Sequence, residues 1–358
     1  MKAAFVFNAG GLGDSVMTLP VVQTLKSMAS ELYIFTHSPI YEVVFGNQQN
    51  IKYIYTNDLC YTKINDFPQV NVYFDLAVNG VISRRSMVQF FRFIKAKRKV
   101  FFVKLSSHIY LLYPYLRIFR DNIGFYELQK HLIDSITKRD VEWIYPRLEC
   151  PQETFYRLNE VMKDRLDKTK KTIFINPFVR GRVRNLPTEF YVELIKLLLP
   201  DFNVILVGRP DAVEAERELT KYFRENELFS VVGKLNLKEF ICFLNLGEIL
   251  ITPDSGPMHL ALLSNVCVVP IFTVIRPWYR IPPYYTRRVK SLCIPEILRE
   301  DISDLLEYLP KGSHYAEREI QKAEIFYREF IRRFDKFKDK ILQEVLERIE
   351  SLAKTCAE

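Results

Sequence analysis

The sequence predicts an α/β protein with two domains in series, each built on a parallel sheet covered by helices. Short apolar runs of strand length alternate with helical segments along most of the chain, and such alternation is typical of parallel sheets. A polar, charged stretch over residues 160–171, EVMKDRLDKTKK, interrupts the alternation and marks the linker. At 358 residues the chain is long enough for two domains of ordinary size.

The composition is that of a globular protein with a basic charge balance. Hydrophobic residues make up 48% of the chain and charged residues 26%. The formal net charge of +8 indicates an anionic partner, which could be nucleic acid, a membrane surface or a phosphorylated substrate. Zinc-finger spacing, an RNP-like aromatic motif and a long basic tail do not occur in the sequence, so nucleic acid ranks last of the three.

The cysteines and the apolar segments indicate the compartment. The six cysteines are scattered, without a C-x-x-C pair or a His/Cys cluster, so we expect reduced thiols and no zinc site. The opening apolar run, MKAAFVF, is too short for a signal peptide. The most apolar internal stretch, Ile109 to Phe119, is about half the length of a membrane span. We therefore expect a cytoplasmic protein without a transmembrane anchor.

The first predicted strand, Lys2 to Asn8, leads into a glycine-rich loop, AGGLGDS, before a helix from about Val16 to Ala29. Three glycines allow the backbone to approach a ligand closely. A dinucleotide fingerprint would need glycine at Val16, and a G-K-(S/T) phosphate loop is absent. From the residues alone, Asp14 is a helix cap. Further strands are predicted at Leu32–Thr36, Ile51–Tyr55, Val72–Asn79 and Val100–Val103.

The segment from Arg84 to Lys104 is both basic and aromatic. A cationic helix with phenylalanines can lie on an anionic membrane surface or hold an acidic acceptor. The alternative is a solvated helix face whose phenylalanines pack on the sheet. The residues concerned are Arg84, Arg85, Arg92, Lys95, Lys97, Arg98, Lys99, Lys104, Phe90, Phe91, Phe93, Phe101 and Phe102.

A second alternating series begins at Thr172. After its first strand, Arg180, Arg182 and Arg184 form a cationic loop, and such a loop suits pyrophosphate. Its predicted strands are Thr172–Asn176, Asn203–Gly208, Leu228–Val232, Ile249–Thr252 and Cys267–Phe272, and its predicted helices are Thr188–Leu199, Asp211–Arg224 and Leu237–Leu246.

A Pro-Asp-Ser-Gly-Pro turn follows the strand at Ile249. Ser255 or Asp254 can cap the short helix after it, and the free amides of a helix start favour phosphate. His259 lies one turn into this helix. The alternative reading makes Asp254 only a cap and His259 only a core histidine.

These segments resemble glycosyltransferase family 9, the bacterial lipopolysaccharide heptosyltransferases. TPDSGPMHLA resembles the donor-binding signature of that family, and GGLGDSVMTLPVVQTLK resembles its opening. YFDLAVNGVISRRSMVQFFRFIKAKRKV and QKHLIDSI resemble two further segments in the family's order. The resemblance spans roughly residues 1–275. It implies the GT-B architecture, with two Rossmann-like domains whose parallel sheets face an interdomain cleft and C-terminal helices that brace the N-terminal domain.

The resemblance also implies roles for individual residues. Asp14 is the general base, and Arg184 contacts the donor phosphate. Two positions depart from the family pattern, since Phe178 replaces a glycine and Leu186 a tryptophan. The remaining donor residues are Arg182, Arg180, Glu214 (for the nucleoside ribose), Asp254, Ser255, Gly256 and His259, and the acceptor-side residues are Gly11, Gly13, Arg84 and Arg85.

The implied reaction is an inverting, metal-independent transfer of a sugar, in the first place heptose from ADP-heptose, to a lipopolysaccharide core or related glycan. No cofactor beyond the nucleotide-sugar is expected, and no D-x-D motif points to a metal. The expected partners are the nucleotide-sugar, an anionic glycolipid acceptor and the cytoplasmic face of the inner membrane. A GT-B-like sugar-nucleotide epimerase and a non-catalytic carbohydrate-binding or scaffold protein are the alternatives.

These motifs lead to three predicted regions: an acceptor domain over residues 1–165, a nucleotide-sugar domain over residues 172–300 and a helical extension over residues 301–358. IRPWYRIPPYY, after Thr273, is predicted to be a surface loop near the cleft mouth. From Ser313 to Lys354 no Gly or Pro occurs, and apolar residues recur at helical spacing. This pattern predicts one long amphipathic helix or two in sequence, which pack on the protein, form a homodimer contact or lie on a membrane surface.

Overall fold

The computed structural model describes residues 1–59, 63–81, 83–102, 124–139, 144–163, 165–224, 227–282, 285, 287–310 and 317–355. It contains two compact units, Met1–Pro146 and Arg147–Glu358. Each unit holds one sheet whose neighbouring strands all run parallel. The predicted fold class, α/β with two parallel sheets, is confirmed.

The first unit is built on a five-stranded sheet in the order β3-β2-β1-β4-β5. Its strands are β1 (Lys2–Phe7), β2 (Glu31–Thr36), β3 (Ile51–Tyr55), β4 (Tyr73–Asn79) and β5 (Lys95–Val100). Its helices are α1 (Leu12–Val16), α2 (Leu19–Met28), α3 (Ile40–Phe45), α4 (Arg84–Phe93) and α5 (Phe125–Thr137).

The central strand β1 explains why this sheet forms. After the exposed Lys2, all residues of β1 are buried and apolar, as expected for a parallel strand covered on both faces. One helix was predicted from Val16 to Ala29, but the structure has two. Helix α1 already starts at Leu12 in the glycine loop, and α2 starts at Leu19. Pro20 lies in the first turn of α2, where a missing backbone N–H is tolerated.

The predicted strand Val100–Val103 is wrong in position, because β5 covers Lys95–Val100 instead. Among the described strands β5 lies at the edge of the sheet, and three of its six residues are exposed while the other three are partly buried. A solvated edge strand need not show the apolar pattern that marks buried strands. Val103 and the apolar stretch from Ile109 to Phe119 lie outside the described residues.

The second unit is built on a six-stranded sheet in the order β11-β10-β9-β6-β7-β8. Its strands are β6 (Lys171–Ile175), β7 (Phe202–Leu206), β8 (Phe229–Ser230), β9 (Ile249–Pro253), β10 (Cys267–Phe272) and β11 (Leu292–Cys293). Its helices are α6 (Gln152–Lys163), α7 (Thr188–Leu198), α8 (Val213–Thr220), α9 (Leu237–Leu244), α10 (Gly256–Ala261), α11 (Ile294–Ile297), α12 (Glu317–Arg332) and α13 (Lys338–Thr355).

The C-terminal helices α12 and α13 are two helices in sequence, separated by a 3₁₀ turn at Phe334–Lys336. Both helices pack on elements of the second unit, and bracing of the N-terminal domain stays a prediction. Helix α13 contacts β9, β10 and α7, and Lys338 Nζ lies 2.6 Å from Glu193 Oε1 of α7. The apolar residues at helical spacing explain this packing, since all of them except the exposed Ile320 are buried. The buried ones are Ala323, Phe326, Phe330, Phe334, Phe337, Ile341, Val345, Ile349 and Leu352. A homodimer contact stays a prediction.

The expectation of reduced thiols is wrong for Cys150 and Cys242 at least. Cys150 and Cys242 form a disulfide, which joins the segment before α6 to helix α9. The two residues are 92 positions apart in the sequence, so their proximity arises from the fold and not from a local motif.

Helix α6, which the predicted boundary at residue 165 assigns to the first domain, also contacts α9 of the second unit. In the described ranges we find no helix that is both long and apolar enough to cross a bilayer.

Candidate active site

The carboxyl ends of parallel strands meet at one edge of a sheet, where the loops that follow them gather. In the second unit, β10, β9, β6 and β7 are consecutive neighbours, and each is followed by a loop with charged side chains. We call this group of strand ends the second-unit edge.

The turn after β9 is fixed by buried polar side chains. Asn176, which follows β6, donates from Nδ2 to Thr252 Oγ1 (2.9 Å) and to Ser255 Oγ (3.2 Å). Thr252 Oγ1 lies 3.0 Å from Ser255 Oγ. Ser255 occupies the N-cap position of α10, and Gly256 begins that helix. These contacts place Asp254 at the strand end, where its side chain is only 4% exposed.

Arg184 joins the loop after β6 to this turn. Its Nη1 donates to the backbone carbonyl of Asp254 at 3.0 Å and lies 3.8 Å from the carboxylate oxygen Oδ2. Gly181 lies against this side chain, since a Cβ at that position would be 2.8 Å from Arg184 Nε and the arginine would have to shift. The two motifs predicted to bind the donor phosphate and sugar therefore meet in the fold.

Two hydrophobic residues account for the departures from the family pattern. The ring of Phe178 packs on Gly208, where a Cβ would lie 2.8 Å from Phe178 Cδ2. Leu186 is buried at 2% exposure before helix α7. Because side chains pack at both positions, they support the loop of Arg180, Arg182 and Arg184 without the glycine and tryptophan that are usual in the family.

Arg280 is a charged residue of this site that the sequence analysis missed. Its Nε lies 4.0 Å from Asp254 Oδ2, and its side chain is 13% exposed. The sequence analysis predicts only a surface loop for IRPWYRIPPYY, and this is wrong for Ile275, Tyr279 and Ile281, which are buried. The sequence did contain a signal for Arg280. It follows the carboxyl end of β10, and the loops after the neighbouring parallel strands already held candidate donor residues.

A second cluster forms on the neighbouring strand ends. Arg180 contacts Asp211 Oδ2 at 3.0 Å, and Arg209 contacts Asp211 Oδ1 at 3.2 Å. Burial, followed by repulsion from Arg180 and Arg184, lowers the pKa of Arg209. Arg209, like Arg280, was not predicted. The guanidinium groups around the second-unit edge therefore repel one another, and an anion bound there would relieve this repulsion.

Other predicted donor residues are placed differently. Arg182 is exposed. Glu214 is 77% exposed and pairs with Arg217 on its own helix at 3.4 Å, so the structure does not bring it into the arginine cluster. His259 is buried in α10 at 3% exposure.

In the first unit, Asp14 lies in the glycine loop as the third residue of α1. Its Oδ2 accepts a hydrogen bond from the backbone N–H of Gly11 at 2.8 Å, so the carboxylate does cap the helix start. Gly10 has φ +93°, and a Cβ there would lie 3.0 Å from Asp14 Oδ2. Gly13 lies within α1, next to Asp14. The loop thus holds the carboxylate in one position through its own backbone.

His37 and Asp58 lie beside this loop and were also missed. His37 Nε2 is 3.0 Å from the carbonyl oxygen of Gly10, and because a carbonyl only accepts, Nε2 is the donor. Asp58 Oδ2 lies 4.0 Å from the same nitrogen. The two residues follow β2 and β3, which pair with each other, so their position after neighbouring strands was the available signal.

Helix α4 carries the predicted acceptor-side arginines at its start. Ser83 caps it by accepting from the backbone N–H of Ser86 at 3.0 Å. Arg84 and Arg85 form its first two positions, and Arg85 is exposed. Cations at a helix N-terminus are unfavourable unless an anion is near.

The prediction that the phenylalanines of the segment Arg84 to Lys104 pack on the sheet is partly confirmed. Phe90 is fully buried, while Phe91 is 50% exposed. Lys99 Nζ lies 4.7 Å from the centre of the Phe91 ring, and burial lowers the pKa of this lysine. This part of the first unit therefore presents both charge and apolar surface.

Across the described ranges, no group of three or more His, Cys, Asp or Glu side chains is arranged to hold a metal ion.

Comparison with known proteins identifies the domain that holds the second-unit edge. Residues 143–300 match the sequence profile of glycosyltransferase family 9 (heptosyltransferase). These residues are a family 9 glycosyltransferase domain. A Haemophilus influenzae protein named as a glycosyltransferase is 22% identical over 286 residues, which cover 74% of this chain and 81% of that protein.

Two solved structures share the fold of this chain. The glycosyl transferase family 9 protein of Veillonella parvula superposes with a TM-score of 0.64 at 17% identity, over 92% of this chain and 97% of the other. The ADP-heptose lipopolysaccharide heptosyltransferase II of Escherichia coli gives 0.61 at 15% identity, over 92% and 99%. The predicted family, the GT-B fold class and the assignment as a glycosyltransferase are confirmed.

Proposed function

We propose that this family 9 glycosyltransferase transfers heptose from ADP-heptose to a hydroxyl group of a lipopolysaccharide core or a related glycan, with inversion at the anomeric carbon. The contact of Arg184 with Asp254 carries the proposal, because it brings the two donor motifs into one charged site. The E. coli protein of similar fold, an ADP-heptose lipopolysaccharide heptosyltransferase, supports this choice of donor and acceptor.

In the proposed reaction, the oxygen of the acceptor hydroxyl forms a bond to the anomeric carbon of the heptose. The bond from that carbon to the diphosphate oxygen breaks, and ADP leaves with the electron pair. Asp14 accepts the hydroxyl proton as general base. Attack from the face opposite the diphosphate inverts the anomeric centre.

The arginines of the second-unit edge supply the electrostatic part of the mechanism. Charge develops on the leaving diphosphate as the bond breaks, and positioned cations stabilise it in the transition state. Arg184, supported by Arg180 and Arg182, takes this role, so the proposed transfer needs no resident metal. Asp254, Ser255, Gly256 and His259 hold the donor's sugar and phosphates, and Glu214 is the proposed contact for the ribose.

The first unit is proposed to receive the acceptor. Gly11 and Gly13 let the acceptor approach Asp14, and Arg84 and Arg85 attract its anionic groups. The exposed Phe91 and the cations near it suit a glycolipid at the cytoplasmic face of the inner membrane. We therefore place the enzyme in the cytoplasm, peripheral to that membrane.

Calorimetric titration with ADP, UDP and GDP, without added metal, tests the donor site. We expect selective binding of ADP, weakened in Arg184→Ala and in Asp254→Ala. Because Arg224→Ala removes an exposed cation of the same unit whose described ion pair is with Glu227, a residue without a proposed role, it is the matched control and should bind ADP normally. If no nucleotide bound, the proposed donor would be wrong and a scaffold role would be favoured. Product formation from ADP-heptose alone would instead favour an epimerase.

A further inference from the structure

The 3₁₀ turn Arg182–Arg184 carries the arginine that is proposed to contact the donor diphosphate. It closes through hydrogen bonds from the backbone N–H of Arg184 to the carbonyl oxygen of Gly181 (2.9 Å) and from that of Asn185 to Arg182 (3.2 Å). A single 3₁₀ turn has poor hydrogen-bond geometry, so it contributes little to its own stability. Contacts from outside the turn therefore determine how Arg184 is presented.

Thr273, the residue after β10, supplies such a contact. Its hydroxyl Oγ1 donates to the backbone carbonyl of Val183 at 2.6 Å, because a carbonyl oxygen only accepts. Thr273 is 2% exposed, so this hydrogen bond forms in a poorly hydrated place, where it is stronger than in water. The two residues are 90 positions apart in the sequence. The order of strands brings them together, since β10 and β6, the strand before the turn, are both neighbours of β9.

This hydrogen bond fixes the peptide unit from which Arg184 begins. The carbonyl of Val183 and the N–H of Arg184 belong to one planar peptide group. Its oxygen is held by Thr273 and its N–H by Gly181. Because both polar atoms of the plane are held, the side chain of Arg184 starts from a defined place in a defined direction. At its far end, Nη1 donates to the carbonyl of Asp254 at 3.0 Å.

We propose that Thr273 is a positioning residue for the donor, and that its hydroxyl holds the turn so that Arg184 meets the diphosphate already ordered. This inference rests on the proposed function, because Arg184 acts there on the leaving diphosphate. Thr273 lies outside the family motifs quoted above. Ordering a long side chain during binding lowers affinity, so an arginine that is already in place binds the diphosphate more tightly.

A valine in place of Thr273 keeps the branched shape and removes the hydroxyl. The carbonyl of Val183 then loses this hydrogen bond, and the turn is released from the end of β10. Arg184 moves with the turn, because it shares the peptide unit with Val183. The turn after β9 keeps its own support from Asn176, so we expect the change to weaken the arginine's contribution and not to dismantle the whole site.

Calorimetric titration with ADP tests the proposal on the wild type, Thr273→Val, Thr273→Ser, Arg184→Ala and the double variant Arg184→Ala/Thr273→Val. In Thr273→Val we expect the Kd for ADP to rise about 3- to 10-fold, which is the effect of one hydrogen bond between uncharged groups. Thr273→Ser keeps the hydroxyl, so its Kd should stay within about 2-fold of the wild-type value. In the Arg184→Ala background, Thr273→Val should change the Kd by less than about 2-fold, because Thr273 acts through Arg184.

Thr24→Val is the matched control. Thr24 lies in α2 of the first unit, and its Oγ1 also donates to a backbone carbonyl, that of Pro20, at 2.9 Å. Thr24 has no proposed role at the donor, so this variant should bind ADP normally. If Thr273→Val fails to fold, Thr273→Ala, which also lacks the hydroxyl, takes its place in each comparison.

An equal loss of ADP affinity in the wild-type and Arg184→Ala backgrounds would assign Thr273 a structural role and overturn the inference. An ADP affinity of Thr273→Val within about 2-fold of the wild type would overturn it too. So would a Thr273→Ser variant as weak as Thr273→Val, since the hydroxyl would then not be the cause. All three results leave the proposed function standing, whereas failure of the wild type to bind ADP would overturn both.

Discussion

The two units have similar sheets, but the carboxyl ends of their strands are held together in different ways. In the first unit, the glycine loop is held by hydrogen bonds to its backbone, as in the contact of Asp14 with Gly11, three residues away. In the second unit, charged side chains join loops that are distant in sequence. Arg184 and Asp254, for example, are 70 residues apart.

This difference corresponds to the chemistry proposed for each unit. Removal of a proton from a neutral hydroxyl needs one carboxylate in a fixed position, which a short loop can provide by itself. Binding a diphosphate needs several cations that are held close together despite their repulsion, and this requires partners from several strand ends. The predictions below test this contrast, from the largest expected effect to the smallest.

The first prediction concerns the single carboxylate of the glycine loop. Asp14→Asn should reduce the rate of transfer by about 1,000-fold or more, because general-base catalysis is lost. The measurement is ADP release from ADP-heptose in the presence of a lipopolysaccharide core acceptor. An asparagine oxygen can still accept from the Gly11 N–H, so we expect normal folding and normal ADP affinity.

Asp66→Asn is the matched control for this change. Asp66 Oδ2 accepts from the backbone N–H of Lys63 at 3.1 Å, also three residues away, so it has the same capping geometry. The control should transfer at the wild-type rate. Equal rates for Asp14→Asn and the wild type would show that Asp14 is only a helix cap.

The second prediction separates two arginines of one loop. Arg184→Ala should weaken ADP binding about 10- to 100-fold, because its side chain is only 31% exposed and contacts Asp254. Arg180→Ala should weaken it less than about 5-fold, since the Arg180 side chain is 75% exposed and well screened. Titration with ADP measures both. The reverse order would mean that the cluster around Asp211, and not Asp254, holds the diphosphate.

The third prediction compares two buried asparagines, each at the carboxyl end of a strand, one in each unit. Asn176→Ala should lower the free energy of unfolding by about 1–3 kcal/mol and should also weaken ADP binding, because the turn after β9 loses its support. Asn79→Ala should cost a similar amount, since Asn79 Oδ1 accepts from Val81 N and Ser86 Oγ, but leave ADP binding unchanged. Urea unfolding and calorimetry give the two quantities. Normal ADP binding in Asn176→Ala would argue against a role of this asparagine in the donor site.

The smallest effect is expected at two glycines with positive φ. Gly10→Ala and Gly46→Ala should each lower the free energy of unfolding by about 1 kcal/mol, since an L-residue is strained there. Only Gly10→Ala should also slow transfer, because its Cβ would press on Asp14, whereas nothing lies within 4 Å of a Cβ at Gly46. Thermal unfolding and transfer assays distinguish the two effects. A fully active Gly10→Ala would show that the loop tolerates a shift of Asp14.

Local signals in the sequence predicted much of this architecture. The apolar run Cys267–Phe272 gave β10 with its exact limits, because a strand buried on both faces is a continuous apolar segment. The turn and short helix before it were also placed correctly. Strand β5 was misplaced, since Lys95–Val100 is largely polar and pairs through its backbone with β4.

The parts of the site that sequence analysis missed depend on tertiary contacts. Arg280 lies 26 residues after Asp254 in a segment rich in Pro and aromatic residues, and only the order of strands in the sheet brings the two together. His37 and Asp58 meet for the same reason beside the glycine loop. A disulfide pairing such as that of Cys150 with Cys242 likewise cannot be deduced from scattered cysteines.

Strand β5 has a consequence for the behaviour of the protein in a crowded solution. Its sequence, KAKRKV, places four cations along the strand that lies at the margin of the first sheet among the described strands. An unpaired strand can recruit a strand from another molecule and start aggregation, and lysines along it oppose such pairing by mutual repulsion. These cations would thus keep neighbouring copies of the protein apart.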